Sequence, residues 1–265
     1  HSPSFATTVF AFGQTGSGKT YTITGPEGGE TRGETMGLVP RALRFLFDRI
    51  GKETRSVFTT RAAYLEIYNE QVLDLLNPNS SALPVRWSTT KGFYVENLFI
   101  VECDVLDDCL AVLEEGLRNR TMGSHQLNEH SSRSHSIMTV FVDSERVDAE
   151  DGRVVRRHGR ISFVDLAGAE KVKESRATGE TLTETLSINK SLLTLGNCIS
   201  CLADARKRTG HIPYRDSKLT KLLSDSLGGH GLAIMIACIS PSAHNAHETL
   251  KTLRYAQRAK RIKNR

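Results

Sequence analysis

The stretch that decides the fold lies near the start of the sequence and reads Gly13-Gln14-Thr15-Gly16-Ser17-Gly18-Lys19-Thr20. It fits the phosphate-loop pattern GxxxxGK[ST] in full. The apolar run at 8–12 precedes it, and a helix start follows it. Glycines let a backbone wrap around a phosphate with its N–H groups pointing inward, and the following helix terminus adds its positive end. The stretch therefore predicts a phosphate-binding loop between a buried strand and a helix.

Two side chains of this loop carry specific predictions. Lys19 is expected to neutralise the β and γ phosphates of a nucleotide, and the Thr20 hydroxyl is expected to take a position on Mg²⁺. The same pattern also occurs by chance in unrelated sequences. The strand context of residues 13–20 argues against chance here.

Strand and helix patterns alternate along the rest of the chain. Strands are predicted at 57–67, 137–147, 160–164 and 232–239, and helices at 38–50, 105–117 (opened by Asp104), 186–202, 217–227 and 247–262. Such alternation predicts an α/β fold of the P-loop NTPase type, with a central, mostly parallel mixed β-sheet and helices on both faces. No linker divides the chain, so residues 1–265 are expected to form a single domain.

Composition narrows the class of protein. Apolar residues make up 38% of the chain and charged residues 25%, as in folded soluble proteins rather than disordered ones. The sequence contains no run of about 18 apolar residues, which a membrane-spanning helix would need, and it shows no recognisable secretory signal. The five cysteines form no paired framework, which favours a reducing compartment. Cys198 and Cys201 are expected to pack inside a helix rather than to bind zinc.

The positive charge is concentrated in two segments. Residues 206–221 hold six basic residues and one acid, and residues 251–265 hold seven basic residues and no acid. The net charge of the whole chain is only +5, so one basic face is expected on an otherwise acidic molecule. Nucleic acid, an acidic membrane and an acidic protein surface are all suitable partners, and a merely solvated helix face is the alternative.

Two further segments qualify as sensors of a terminal phosphate. One is the polar cluster Asn128-Glu129-His130-Ser131-Ser132-Arg133-Ser134-His135, just before a strand; the other is Asp165-Leu166-Ala167-Gly168-Ala169-Glu170, just after one. An acid at the end of a buried strand can hold a metal through water, and a glycine N–H can approach a γ-phosphate closely. Without the phosphate loop, both would be interpreted as ordinary loops.

Together the three segments closely resemble the kinesin superfamily, in which NxxSSRSH is the switch I segment and DLAGxE the switch II segment. Shared motifs continue in the family's order through IleAsnLysSerLeu at 188–192, IPYRDSKLT at 212–220, DSLGG at 225–229, ETL at 248–250 and LRYA at 253–256. The resemblance covers nearly the whole chain. Residues 83–87 (LPVRW) and 92–96 (GFYVE) further look like the kinesin-twelve class.

The resemblance implies an ATP hydrolase that uses ATP and Mg²⁺. Residues 13–20 would bind the nucleotide, Ser131 would contact the γ-phosphate, and Ser132 would belong to the magnesium shell. Asp165 would hold metal-bound water, and Gly168 would sense the γ-phosphate through its N–H. Arg133 and Glu170 would form the ion pair that closes the two switch segments and passes a proton from the attacking water toward Glu170.

The resemblance also implies that the basic face binds microtubules, whose tubulin is acidic. The residues expected there are Lys171, Lys173, Lys190, Arg215, Lys218 and Lys221, with Arg86 and Lys91 as a second patch. The expected protein is a cytoskeletal, microtubule-associated motor that binds neither nucleic acid nor membrane. Dimerisation would use regions outside this chain.

The chain departs from the family pattern in two respects. Ala169 stands where the family usually has Ser, and the sequence begins just before the phosphate loop, without the family's opening strands. An edge left unpaired by the missing strands would make this fragment alone unstable or inactive. Three functions are weighed: a microtubule-stimulated motor ATPase, a nonmotile microtubule-binding module with weak ATPase, and a nucleic-acid-dependent ATPase. The last gives no account of the segments at 128–135 and 212–220.

Overall fold

Strands and helices alternate along much of the chain. The structure is a computed structural model that describes residues 4–26, 31–125, 130–148, 152–170 and 180–264, without the side chains at 4, 122–125, 130–131 and 180–189. Its strands are β1 (Ser4–Phe12), β2 (Val57–Tyr68), β3 (Gln71–Asp74), β4 (Val85–Ser88), β5 (Gly92–Val95), β6 (Val101–Glu102), β7 (His135–Val147), β8 (Val154–Asp165) and β9 (Leu232–Ala237). Its helices are α1 (Lys19–Thr24), α2 (Leu38–Lys52), α3 (Leu106–His125), α4 (His130–Arg133), α5 (Glu180–Ala203), α6 (Lys218–Leu223) and α7 (Ala246–Ala259).

A mixed sheet forms the centre of the fold, in the order β3-β2-β7-β8-β1-β9, with β6 added beside β2. Strand β1 pairs in parallel with β8 and with β9, whereas β2, β3, β6 and β7 enter through antiparallel pairings. The strands β1, β2, β8 and β9 therefore all point in one direction. The carboxyl ends of β1 and β8 meet at one edge of the sheet, where the phosphate loop begins.

Both faces of β1 are buried, because its side chains alternate between two cores. Val9 and Ala11 face a core to which α2 and α3 contribute, while Phe10 and Phe12 face a second core built with α5, α6 and α7. Phe12 stacks on Tyr255 of α7, with the ring centroids 4.0 Å apart. The α/β fold predicted from the sequence, a sheet covered by helices on both faces, is confirmed.

Several boundaries differ from those predicted. Strand β8 starts at Val154 rather than at residue 160, and α3 continues to His125 rather than to residue 117. Helix α6 begins close to the predicted position, because the Ser217 hydroxyl caps it by accepting a hydrogen bond from the Leu219 N–H. It ends at Leu223 rather than at residue 227.

The carboxylate that supports the start of α3 belongs to Asp108, not to Asp104 as predicted. Its Oδ2 atom accepts hydrogen bonds from the backbone N–H groups of Asp104 (2.9 Å) and Val105 (3.0 Å). An acid inside the first turn here reaches back to satisfy backbone donors ahead of the helix.

Strand β9 ends the sheet formed by the described residues. Leu232 and Ile234 on this strand are 58% and 45% exposed.

None of the helices that the structure describes is long and apolar enough to span a membrane.

Candidate functional site

The phosphate loop connects β1 to α1 and is shaped by its glycines. Gly16 and Gly18 have φ values of 76° and 89°, a left-handed conformation that favours glycine. At Gly13 a side chain is excluded by packing instead, because a Cβ atom there would lie 2.1 Å from the carbonyl oxygen of Cys238, just beyond β9. The glycines of the motif are therefore explained by backbone geometry and by close contact with the next strand.

Lys19 lies buried at the base of this loop, with 7% of its surface exposed. Its Nζ atom donates to the carbonyl oxygen of Gln14 at 2.8 Å. Burial lowers the pKa of Lys19, while the nearby carboxylates of Asp165 and Glu170 act in the opposite direction. The ammonium group thus rests on the inner side of the loop, the location expected of a group that meets phosphate oxygens.

Thr20 and Asp165 join the loop to the carboxyl end of β8. The Thr20 hydroxyl donates to Asp165 Oδ2 at 2.7 Å. Asp165 is 2% exposed, and its second oxygen, Oδ1, is buried without a hydrogen-bond partner. A hydroxyl next to a carboxylate that keeps one acceptor unused is the oxygen donor set that suits Mg²⁺ and its bound water. These residues fit the metal predicted from the sequence.

Sequence reasoning missed Arg120, which holds the same carboxylate from the other side. Arg120 on α3 is 4% exposed, and its Nη1 atom donates to Asp165 Oδ2 at 2.8 Å. Its Nε atom lies 3.5 Å from Oε1 of Glu66, another buried acid on β2. Burial alone would lower the pKa of Arg120, but Asp165, Tyr64 and Glu66 together raise it above its usual value. Arg120 is therefore a permanent cation between two buried carboxylates.

One signal in the sequence could have found this cluster. Glu66 interrupts the apolar strand β2, and a buried charge needs a partner of opposite sign. The strand pattern does not identify the basic residue that pairs with Glu66, because α3 and β2 are far apart in the sequence and come into contact only on folding.

Three consecutive residues after β8 donate their backbone N–H groups to three different elements. Ala167 donates to Nδ1 of His135 at 2.9 Å. Gly168 donates to the carbonyl oxygen of Ser132 at 2.9 Å, and Ala169 donates to the carbonyl oxygen of Gly13 at 3.1 Å. The structure thus brings together the phosphate loop, the switch I segment and the switch II segment, as the sequence predicted.

Glu170 binds the phosphate loop directly. Its Oε2 atom accepts the Thr15 N–H at 2.8 Å, and its Oε1 atom accepts the Thr15 hydroxyl. The predicted ion pair between Glu170 and Arg133 stays a prediction. The predicted contact of Gly168 with a γ-phosphate stays one too, and it requires the Gly168 N–H to leave the Ser132 carbonyl.

The other residues of the two switch segments are placed unevenly. Ser132 and Arg133 are half-buried on the short helix α4. Asn128 and Glu129 lie outside the described residues, as does the side chain of Ser131. The structure therefore locates the backbone of the switch I segment beside the loop and leaves the predicted role of Ser131 open.

The structure describes four of the six basic residues that are predicted to form the main basic face. Lys190 on α5 and Arg215 in a short 3₁₀ turn are exposed, while Lys218 and Lys221 on α6 are half-buried. Helix α5 contacts both the turn and α6, so these side chains come from adjoining elements. Lys171 and Lys173 lie outside the described residues.

The second patch lies on the β4–β5 hairpin. Arg86 there pairs with Glu96 at 3.0 Å, and Lys91 lies over the ring of Tyr94. Both basic side chains are exposed.

Residues 4–262 match the family model described as "Kinesin motor domain". Among curated proteins, the chain is 51% identical to "Kinesin-like protein KIF12" of Mus musculus over 98% of its own length, and 48% identical to "Kinesin-like protein KIN-12E" of Arabidopsis thaliana over 97%. It spans 42% of the first relative and 21% of the second, which is less than half of either protein.

The fold also matches that of a solved structure, "Structure of a fast kinesin: Implications for ATPase mechanism and interactions with microtubules". The TM-score is 0.89 at 40% sequence identity, and the match covers 98% of this chain and 72% of the solved one. Sequence and fold comparisons thus point to the same family.

Proposed function

This chain belongs to the kinesin motor-domain family, and from that membership we propose that it is an ATP hydrolase stimulated by microtubules, which couples ATP hydrolysis to movement along them. The coupling would run from the phosphate loop, through the two switch segments, to the basic residues on α5 and α6. Its place of action would be the microtubule cytoskeleton of the cytoplasm.

One observation carries the proposal. The Gly168 and Ala169 N–H groups connect the switch II segment to Ser132 of the switch I segment and to Gly13 of the phosphate loop. A phosphate bound by the loop would therefore lie within reach of both segments. Phosphoryl transfer is accelerated chiefly by positioning and charge neutralisation, which such a convergence of donors supplies.

In the proposed mechanism, separate residues bind the phosphates and the magnesium ion. Residues 13–20 bind the phosphates, with Lys19 as the neutralising cation. Thr20, Ser132 and Asp165 would hold Mg²⁺, with Asp165 acting through water. Bound Mg²⁺ would supply neutralisation of charge between the β and γ phosphates.

The residues around the terminal phosphate act at the moment of hydrolysis. Ser131 and the Gly168 N–H contact the γ-phosphate. Arg133 pairs with Glu170 and orients it, and Glu170 receives the proton of the attacking water through a second water. Glu170 would have to leave Thr15 for this step, because both of its oxygens accept hydrogen bonds there.

Microtubule binding would depend on many weak contacts. Exposed ion pairs contribute about 0.2–1 kcal/mol each, so several basic residues are needed and affinity should fall with salt. By thermodynamic linkage, a nucleotide that changes microtubule affinity is itself bound differently on the microtubule. The proposed residues are Lys171, Lys173, Lys190, Arg215, Lys218 and Lys221.

A nonmotile microtubule-binding module with weak ATPase is the second candidate, and Ala169 favours it. This residue is partly buried against the core, its N–H donates to the Gly13 carbonyl oxygen, and it offers no hydroxyl near the phosphate site, where the family usually has serine. The missing hydroxyl would either slow hydrolysis or shift a water molecule near the phosphate, and only the first outcome matches the second candidate.

One measurement separates the candidates: phosphate release by the motor domain of the intact protein with microtubules, with DNA or RNA, and with neither. Stimulation by microtubules alone supports the motor. Binding to microtubules without stimulation supports the nonmotile module, and stimulation by nucleic acid overturns both.

A further inference from the structure

His135 connects the end of the switch I segment with two other parts of the molecule. It is the first residue of β7 and is 2% exposed. Its Nδ1 atom accepts the Ala167 N–H at 2.9 Å, and its Nε2 atom lies 2.8 Å from the hydroxyl oxygen of Ser191 on α5. One imidazole ring thus spans the distance between the switch II segment and α5.

These contacts determine where the ring carries its proton. A backbone amide can only donate, so Nδ1 is the unprotonated nitrogen and the hydrogen lies on Nε2, which donates to Ser191. Burial, together with the charges of Arg120 and Lys19, lowers the pKa of His135 to about 3. The ring is therefore neutral at physiological pH, with both nitrogens in use.

We propose that His135 is a positioning residue that couples the switch II segment to α5, so that the nucleotide state sets microtubule affinity partly through this ring. The inference rests on the proposed function. It goes beyond it by naming the side chain that connects the two sites.

The direction of coupling follows from neighbouring residues. Ala167 immediately precedes Gly168, whose N–H must leave the Ser132 carbonyl to reach a γ-phosphate. A movement of Gly168 displaces the Ala167 N–H, and the rigid ring transmits this displacement to Ser191. Ser191 is buried, whereas the next residue toward the N-terminus, Lys190, is exposed on the surface that would face the microtubule. The hydrogen bond of Ser191 is thereby connected with the charge of the adjacent Lys190.

Two substitutions break the two contacts separately. His135→Asn keeps an acceptor near the position of Nδ1 and loses the donor to Ser191. His135→Gln keeps a donor near the position of Nε2 and loses the acceptor for the Ala167 N–H. Ser191→Ala removes the hydroxyl that accepts the hydrogen bond from Nε2. The double variant His135→Asn with Ser191→Ala completes a double-mutant cycle, which separates the interaction between the two side chains from any other effect of Ser191.

The readout is the ratio of microtubule dissociation constants in ADP and in a non-hydrolysable ATP analogue, measured with the motor domain of the intact protein. We expect this ratio to fall at least about fivefold in His135→Asn, His135→Gln and Ser191→Ala, the lower end of typical coupling between sites. The double variant should fall no further than the single ones. Basal ATPase should change less than about threefold in Ser191→Ala, because this side chain lies on α5 and is not proposed to touch the nucleotide.

A purely structural role predicts a different pattern. It would lower the melting temperature and the active fraction while leaving the ratio unchanged in the folded molecules, and that result would overturn the proposal. Effects of His135→Asn and Ser191→Ala that multiply in the double variant would overturn it too. A wild-type ratio of one would instead contradict the proposed function, and this inference with it.

A spectroscopic measurement on the wild-type protein covers the case in which the variants do not fold. The ¹⁵N resonances of His135 should show a proton on Nε2 and none on Nδ1, and they should shift when the ATP analogue replaces ADP. A proton on Nδ1, or resonances that ignore the nucleotide, would overturn the proposal.

Discussion

Glu170 and Thr15 are 155 residues apart in the sequence and are joined by two hydrogen bonds, from the Thr15 N–H at 2.8 Å and from the Thr15 hydroxyl. The carboxylate of the switch II segment therefore rests on the phosphate loop itself. Removing this carboxylate should leave the loop's N–H groups available to a nucleotide while deleting the proposed proton acceptor.

Glu170→Ala should consequently slow hydrolysis far more than it weakens ATP binding. We expect a loss of about 100-fold or more in the rate of phosphate release, the range of general acid–base contributions, with less than a threefold change in ATP affinity. Single-turnover phosphate release and titration with a fluorescent nucleotide give the two values. Glu170→Gln, which keeps the hydrogen-bond acceptor but not the charge, is the matched control and should show the same separation. Equal losses in rate and affinity would remove Glu170 from the proposed role.

Charge reversal on α6 should weaken microtubule binding without changing basal ATPase. Lys218→Glu with Lys221→Glu removes two favourable contacts and creates two repulsive ones, so we expect about a tenfold loss of affinity at low salt and a smaller loss at high salt. Co-sedimentation at two ionic strengths measures both.

The matched control carries the same change of charge on the opposite face of the sheet. Lys52 ends α2, Arg55 follows it, and both are exposed. Lys52→Glu with Arg55→Glu should leave co-sedimentation unchanged; equal losses in both double variants would point to a general charge effect.

Arg120→Met should destabilise the protein strongly. It leaves the buried carboxylates of Glu66 and Asp165 without the cation between them, and such a loss costs about 3–5 kcal/mol in the free energy of unfolding. Urea denaturation measures it. Arg118→Ala on the same helix removes an exposed pair with Glu115 and should cost less than about 1 kcal/mol. A similar small effect of both changes would contradict the burial and pairing of Arg120.

His135 predicts a specific dependence of stability on pH. Its pKa is depressed to about 3 in the folded protein, so the native state binds fewer protons than the unfolded chain below the ordinary value of 6.5. This contribution is fully present above pH 6.5 and is lost as the pH falls toward about 3, by at most ~1.4 kcal/mol per pH unit. Urea unfolding at pH 7.5, 6.5 and 5.5, near the values where histidine titrates in the unfolded chain, should therefore show a shallower decline for His135→Gln than for the wild type. Parallel curves would mean that the imidazole titrates normally.

Much of the fold could be predicted because its signals are local. The glycine pattern of residues 13–20 and the apolar run before it identify β1, the loop and the start of α1 without reference to any distant residue. Long periodic segments such as α5 were found for the same reason. Strands β3 to β6 were missed, since two to four residues are too few to show a period.

The site was predictable in its segments but not in its contacts. Sequence motifs placed Gly13, Ser132 and Gly168 in one site, yet the hydrogen bonds among them depend on the register of β1, β7 and β8. The sequence predicted no role for Arg120, and for His135 none beyond its place in the polar cluster, because their partners come from other elements. Asp165 lies 45 residues from Arg120, and Ser191 lies 56 residues from His135. Such pairings are decided by tertiary packing, about which the residues' own neighbours in the sequence say nothing.

The backbone from Ala167 to Ala169 makes three attachments within three residues, to β7, to α4 and to the phosphate loop. Because consecutive residues make all three bonds, a displacement of the Gly168 N–H is expected to disturb the bonds of Ala167 and Ala169 as well. A terminal phosphate that drew the Gly168 N–H away from Ser132, as proposed, would therefore alter the contacts with β7, α4 and the phosphate loop together.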